Sequence, residues 1–181
     1  MTDEQILNIL NHGKDTEKGF RLLMDKYQGM LYQHIRRMVN DHDDANDVLQ
    51  NTFIKVYRYI DRFEGRSSLY TWIYRIATNE ALTHLNRVNR MTLVMSNEND
   101  DITDRLHSND GPATDMVAEM LLAALKLLPE KQKCVFNLRY YEEMSYKEIS
   151  EVLETSEGAL KASYHHAVKK IENYFKKINI Y

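Results

Sequence analysis

An all-α protein, two small helical domains joined by a flexible acidic linker, is the fold predicted by this 181-residue sequence. Three observations predict it. Apolar residues recur at a spacing near 3.6 along almost the whole chain, as in helices that bury one face. Only 2 prolines and 6 glycines interrupt it, and no segment alternates apolar and polar residues for long enough to form a sheet. Finally, the pattern lapses over 91–115, MTLVMSNENDDITDRLHSNDGPATD, a stretch rich in Asn, Asp, Ser and Thr that contains Gly111-Pro112 and reads as the linker. It separates a domain at 1–90 from one at 116–181.

Bulk properties exclude several classes. An apolar content of 43% rules out wholesale disorder. No apolar run approaches membrane-spanning length, and the opening MTDEQILNIL is acidic and periodic, unlike a signal peptide. A single cysteine, Cys134, excludes an intramolecular disulfide framework; within CVFNL it reads as a buried thiol in a cytoplasmic protein. Net charge is −3, which at first opposes nucleic-acid binding, but the distribution is uneven. Arginines concentrate in 62–93 and lysines in 155–181, with the acidic linker between them. Such small basic zones give weak, salt-sensitive affinity alone, so a larger partner is expected to deliver the chain to DNA.

In the first domain, Asp44–Ile60 carries two stripes. Ala45, Val48, Leu49, Thr52, Phe53, Val56, Tyr57 and Ile60 form a core face, while Asp47, Gln50, Asn51, Ile54 and Arg58 form a polar stripe with an isoleucine in its middle. Spacing alone leaves incidental exposure and a protein-docking surface equally open for that isoleucine. A short loop through Phe63, Gly65, Arg66, Ser67 and Ser68 leads into the helix LYTWIYRIATNEALTHLNR. Leu69, Ile73, Ile76 and Ala77 should face inward. Thr71, Tyr74, Arg75, Thr78, Asn79 and Asn86 should face outward, a set of cations, amides and aromatics suited to phosphates and unstacked bases. Trp72, at the edge, is placed in the core.

The second domain predicts three helices and a helix-turn-helix. Leu121, Leu122, Leu125 and Leu128 line a helix that stops before Pro129, and a second, from Glu130 to Tyr141, buries Val135, Phe136 and Leu138. Ser145 and Glu148 have the spacing of a capping box. The short helix that follows carries Ile149, Val152 and Leu153, and Ser156 caps a long last helix after a tight turn. On that helix Leu160, Tyr164, Ala167, Ile171 and Phe175 should pack inward. Lys161, Ala162, His165, His166 and Lys169 form the opposite arc, with Ser163 at its margin. An acid-free arc behind a short helix and tight turn fits a major groove better than the solvated face of an ordinary three-helix domain. Adjacent His165 and His166 diverge by about 100° around the axis, so no metal site is expected there, and no cofactor is expected anywhere.

Two long motifs, DANDVLQNTFIKVYRYIDRFEG with YTWIYRIATN, and LPEKQKCVFNLRYYEEMSYKEISEVLETSEGALKASYHHAVKKIE, resemble the second and fourth conserved regions of extracytoplasmic-function (ECF) sigma factors of bacterial RNA polymerase. The resemblance implies that Asp47, Gln50, Asn51 and Ile54 dock on the clamp helices of the largest polymerase subunit. It implies that the loop from Phe63 through Arg66, Ser67 and Ser68 captures a flipped base of the minus-ten element, with Arg75 and Asn79 holding the melted strand. Lys161, Ser163, His165, His166 and Lys169 would read the minus-thirty-five element. The implied partners are core RNA polymerase, promoter DNA and, as is common in the family, an anti-sigma factor, with no direct membrane insertion. Departures from the family pattern are informative. Ser163 and His166 stand where arginine is frequent, and Val168 where a basic residue is, which implies an upstream element poorer in guanine. Glu154 occupies a turn position where glycine is common, and Asn46 and Asn51 replace acids of the docking stripe.

Two other readings compete with the sigma-factor reading. A stand-alone helix-turn-helix regulator is opposed by the net acidity and the polar stripe. A nucleic-acid-processing enzyme is opposed by the absence of a carboxylate cluster, metal-ligand spacing or nucleophile–base pair, so no catalysis is expected.

Overall fold

The computed structural model describes residues 1–12, 16–39, 41–96 and 116–178, and within them eight α-helices and one 3-10 turn without any strand. The chain divides into two compact units, Met1–Met91 and Thr92–Tyr181. Much of the linker expected at 91–115 lies outside the described residues. Its first part does not: the helix before it continues to Ser96, since nothing in the sequence from Met91 onward forbids an exposed helical turn.

In the first unit α1 (Asp3–His12), α2 (Thr16–Val39), α3 (His42–Tyr59) and α4 (Leu69–Ser96) pack together, with a 3-10 turn at Ile60–Arg62. Thr2 and Gln5 cap α1 reciprocally: the Thr2 amide donates to Gln5 Oε1 at 3.0 Å and the Gln5 amide to Thr2 Oγ1 at 3.3 Å. Asp3 then pins α1 to α2 by accepting from Lys26 Nζ at 2.6 Å and the Tyr27 hydroxyl at 2.8 Å. Close approach of these helices needs Gly19, where an added Cβ would lie 3.0 Å from Leu10 side-chain atoms. Asp41 caps α3 by accepting from the amides of Asp43 and Asp44. Leu23, Leu31, Ile35, Val48, Val56, Ile73 and Ala77 form the buried core.

Three residues of α4 expected to face outward are buried. Thr71, Tyr74 and Thr78 all lie inside. Thr78 Oγ1 hydrogen-bonds buried His34 Nε2 at 2.9 Å, Tyr74 packs against the rings of His34 and Tyr70, and Thr71 Oγ1 is 2.8 Å from Ser68 Oγ. Hydroxyls with internal partners can be buried at little cost, so polarity misled the assignment of the face. Tyr57, expected in the core, is 59% exposed and meets Phe20 edge-on at 4.9 Å between centroids.

The second unit contains α5 (Met116–Lys126), α6 (Glu130–Tyr140), α7 (Tyr146–Leu153) and α8 (Glu157–Lys177). Ala124, Leu125, Leu128, Phe136, Ala167 and Ile171 make a core against which Leu121, Tyr164 and Phe175 pack. The capping box at Ser145 and Glu148 is complete, and Ser156 accepts from the Ala159 amide. Glu154 closes α7 in the left-handed region, at φ 51° and ψ 41°, a conformation costing a side-chain-bearing residue about 1 kcal/mol. Buried Cys134 has its thiol pushed up to about 12 by desolvation, which leaves it inert near neutral pH.

Candidate protein-docking and nucleic-acid interfaces

The polar stripe of α3 borders an apolar groove. Phe20, Met24 and Gln28 of α2 face Leu49, Gln50, Phe53, Ile54 and Tyr57 of α3 across a groove of about 910 Å³, with Asp47 and Arg58 at its polar margin. Ile54 is 49% exposed there. Asp47, Gln50 and Ile54 therefore share one surface, and α3's regular helix places them there. Asn51, also exposed, marks the α4 side of that surface. It lines a separate cavity of about 130 Å³ with Val48, Glu80, Thr83, His84 and Arg87. Beside it the Lys55 ammonium pairs with Glu80, and His84 Nε2 lies 3.2 Å from Asp44 Oδ2. The α2 side of the groove was not foreseen, although Phe20, Met24 and Gln28 recur every fourth residue and so share a helical face.

The loop before α4 is built for close turning and capping. Gly65 has φ +70°, a backbone region that favours glycine. Ser68 caps α4, accepting from the Thr71 amide at 3.0 Å, while its carbonyl accepts from the Trp72 amide. Phe63 packs on Trp72 at 5.3 Å between centroids, so Trp72 is half-buried at the loop rather than fully in the core. Arg66 pairs with Glu64 at 2.6 Å while both remain largely exposed. Arg75 and Asn79 are exposed one turn apart, on the face that begins at Ser68. Loop and helix thus present an aromatic, two serines, cations and an amide on one side of the unit.

On α8, Lys161, His165, His166 and Lys169 are exposed and Ser163 is half-buried. The His165 and His166 rings are 6.1 Å apart between centroids. Among the described residues no three His, Cys, Asp or Glu side chains are gathered as metal ligands. Two contacts around this arc went unforeseen: the Arg139 guanidinium and the Lys161 ammonium both lie over the Tyr146 ring, at 5.2 and 5.6 Å from its centroid. No helical periodicity reports such a contact, because its members come from three helices.

Known proteins share both units. Residues 23–91 match the family model for sigma-70 region 2, and residues 118–171 that for sigma-70 region 4. The ECF RNA polymerase sigma-E factor of Haemophilus influenzae is 33% identical over 182 residues, covering 96% of this chain and 95% of the relative. The RNA polymerase sigma-H factor of Pseudomonas aeruginosa is 30% identical, covering 94% and 92%. Among solved structures, the fold is shared with the sigma factor RpoE of Bartonella quintana, in complex with the anti-sigma factor NepR (TM-score 0.72, 21% identity, 88% of this chain and 98% of that one). It is shared also with CnrH in complex with the cytosolic domain of CnrY (TM-score 0.69, 20% identity, 97% of each). With both regions present in order and relatives similar along nearly their whole length, the chain belongs to the ECF sigma factors, the sigma-70-type subunits that direct RNA polymerase to promoters and initiate transcription.

Proposed function

We propose that the family's activity is divided between the two units as follows. The first unit, within 1–90, docks on the clamp helices of the largest polymerase subunit through Asp47, Gln50, Asn51 and Ile54, with the groove beside Ile54 receiving apolar side chains. Its loop of Phe63, Arg66, Ser67 and Ser68 captures an extruded minus-ten base, and Arg75 and Asn79 hold the opened strand. Extraction of a base costs a few kcal/mol, and an aromatic ring with several hydrogen-bonding groups beside it offsets that cost. The second unit, within 116–181, reads the minus-thirty-five element through Lys161, Ser163, His165, His166 and Lys169, and the segment 91–115 links the two. The chain itself catalyses no reaction and works in the cytoplasm, where polymerase is; among the described residues no helix is long and apolar enough to cross a membrane. Because RpoE, which shares the fold, is found in complex with the anti-sigma factor NepR, an anti-sigma factor is proposed as a further partner.

The observation that carries the docking assignment is Ile54: a half-exposed isoleucine at the edge of an apolar groove, ringed by Asp47, Gln50 and Arg58. An isolated surface isoleucine needs no explanation, but one that continues a groove of this size does. Ile54→Asp is expected to weaken association with core polymerase at least about tenfold, since a carboxylate would be desolvated against apolar side chains. Co-purification or fluorescence titration with core enzyme measures this; wild-type affinity would sink the assignment.

A further inference from the structure

We propose that Tyr146 is a positioning residue for promoter recognition: its ring holds the Lys161 ammonium in place on the outward face of α8. The proposal rests on the assignment of Lys161 to the upstream element.

Tyr146 is the first residue of α7, and its backbone is fixed by the capping box around it. The Glu148 amide donates to Ser145 Oγ at 3.2 Å, and the Ser145 amide donates to Glu148 Oε2 at 2.8 Å. On the α8 side the ring meets Tyr164 edge-on at 6.4 Å between centroids. Tyr164 lies three positions beyond Lys161 and is its neighbour on the helix surface. The ring therefore sits against α8, with the Lys161 ammonium 5.6 Å from its centroid. Arg139, itself anchored by Nη1 donating to the Met144 carbonyl at 2.8 Å, lies 5.2 Å from the same centroid.

Lys161 needs such a hold. Its side chain is 60% exposed, and the neighbouring carboxylate, Glu157, is 4.0 Å from the ammonium, too far for a hydrogen bond. A lysine is a point cation on a flexible stem and donates in any direction. Whether it reaches a base edge or a phosphate therefore depends on where its stem is held. The negative face of an aromatic ring attracts the ammonium without consuming its donors. Holding it before DNA arrives also reduces the side-chain freedom lost on binding.

The test uses the full chain bound to core polymerase, on a promoter at which that holoenzyme initiates, with the upstream element either intact or scrambled. The quantity read is the ratio of affinities for the two templates. Tyr146→Leu should lower this ratio about two- to fivefold, and Tyr146→Phe, which keeps the ring, should preserve it. Lys161→Met should also lower the ratio, and Tyr146→Leu should then have no further effect. Losses that multiply in the double variant would overturn the proposal, as would a Tyr146→Phe defect equal to that of Tyr146→Leu, which would mark a hydroxyl contact with DNA. A Lys161→Met chain with undiminished discrimination would instead remove the underlying assignment, and the proposal with it. A measurement independent of variant folding is the nuclear magnetic resonance position of the Lys161 ε-methylene protons in the unsubstituted protein. A ring-current upfield displacement is expected, and a random-coil position would refute the contact.

Discussion

His34 sits wholly inside the first unit, its Nε2 2.9 Å from Thr78 Oγ1 and its ring 5.1 Å from that of Tyr74. Desolvation, aided by the positive charge of Arg37, pushes its pKa from 6.5 down to about 3. In the unfolded chain the imidazole takes up a proton near its ordinary pKa; in the folded one it stays neutral. Between pH 6.5 and 3 the unfolded state therefore binds more protons. Stability is fully present above pH 6.5 and falls as pH drops, by about 1.4 kcal/mol per unit. Urea unfolding of the first unit should accordingly lose about 2 kcal/mol from this group between pH 7 and 5. His34→Gln, which cannot titrate, should be less stable at pH 7 yet lose less on acidification. An equal pH slope in the variant would show that His34 is not the source. Nothing local in the sequence singles out this histidine, since its partner on α4 is far along the chain.

At the scale of elements, α2 offers two glycines with opposite demands. Gly29 is exposed in mid-helix, and a Cβ there would meet nothing within 4 Å, so Gly29→Ala should raise stability by about 0.5–1 kcal/mol through helix propensity alone. At Gly19 the same change would press on Leu10 at 3.0 Å and Ile9 at 3.1 Å, so Gly19→Ala should end below Gly29→Ala in thermal melting. A reversed order would mean that α1 is not seated where it is described. What the sequence made legible follows the same division between local and distant causes. The helices, the Ser145–Glu148 capping box and the outward arc of Lys161, His165 and His166 were readable because they depend on neighbours within one or two turns. The burial of Thr71, Tyr74 and Thr78, the groove wall of Phe20 and Met24, and the ring beneath Lys161 were not. Each depends on a partner from another helix, to which periodicity is blind. The left-handed Glu154 lies between these cases: its turn was anticipated, but not its positive φ.

For the whole molecule, the net charge of −3 and the modest cationic arc on α8 suit a subunit that borrows its DNA affinity from polymerase. On the division proposed above, docking, upstream reading and strand opening fall to different surfaces, and a lesion in one should leave the others intact. Asn79 tests this division most directly. It is exposed on α4, away from the groove bordered by Ile54, and its backbone carbonyl accepts from the Thr83 hydroxyl at 2.7 Å, an interaction that Asn79→Ala preserves. In the role proposed for it, Asn79 gives the opened strand one or two hydrogen bonds through its amide, so in Asn79→Ala opening of a duplex promoter should slow about tenfold. Permanganate reactivity of the promoter thymines reports opening directly and should appear correspondingly later. Core association should be unchanged, because the substitution leaves the groove bordered by Ile54 alone. A template already unpaired across the minus-ten element should restore most of the lost rate, since the cost of unpairing has then been met in advance. If the unpaired template is as defective as the duplex, Asn79 acts after opening; if core association falls as well, the surfaces are coupled rather than divided.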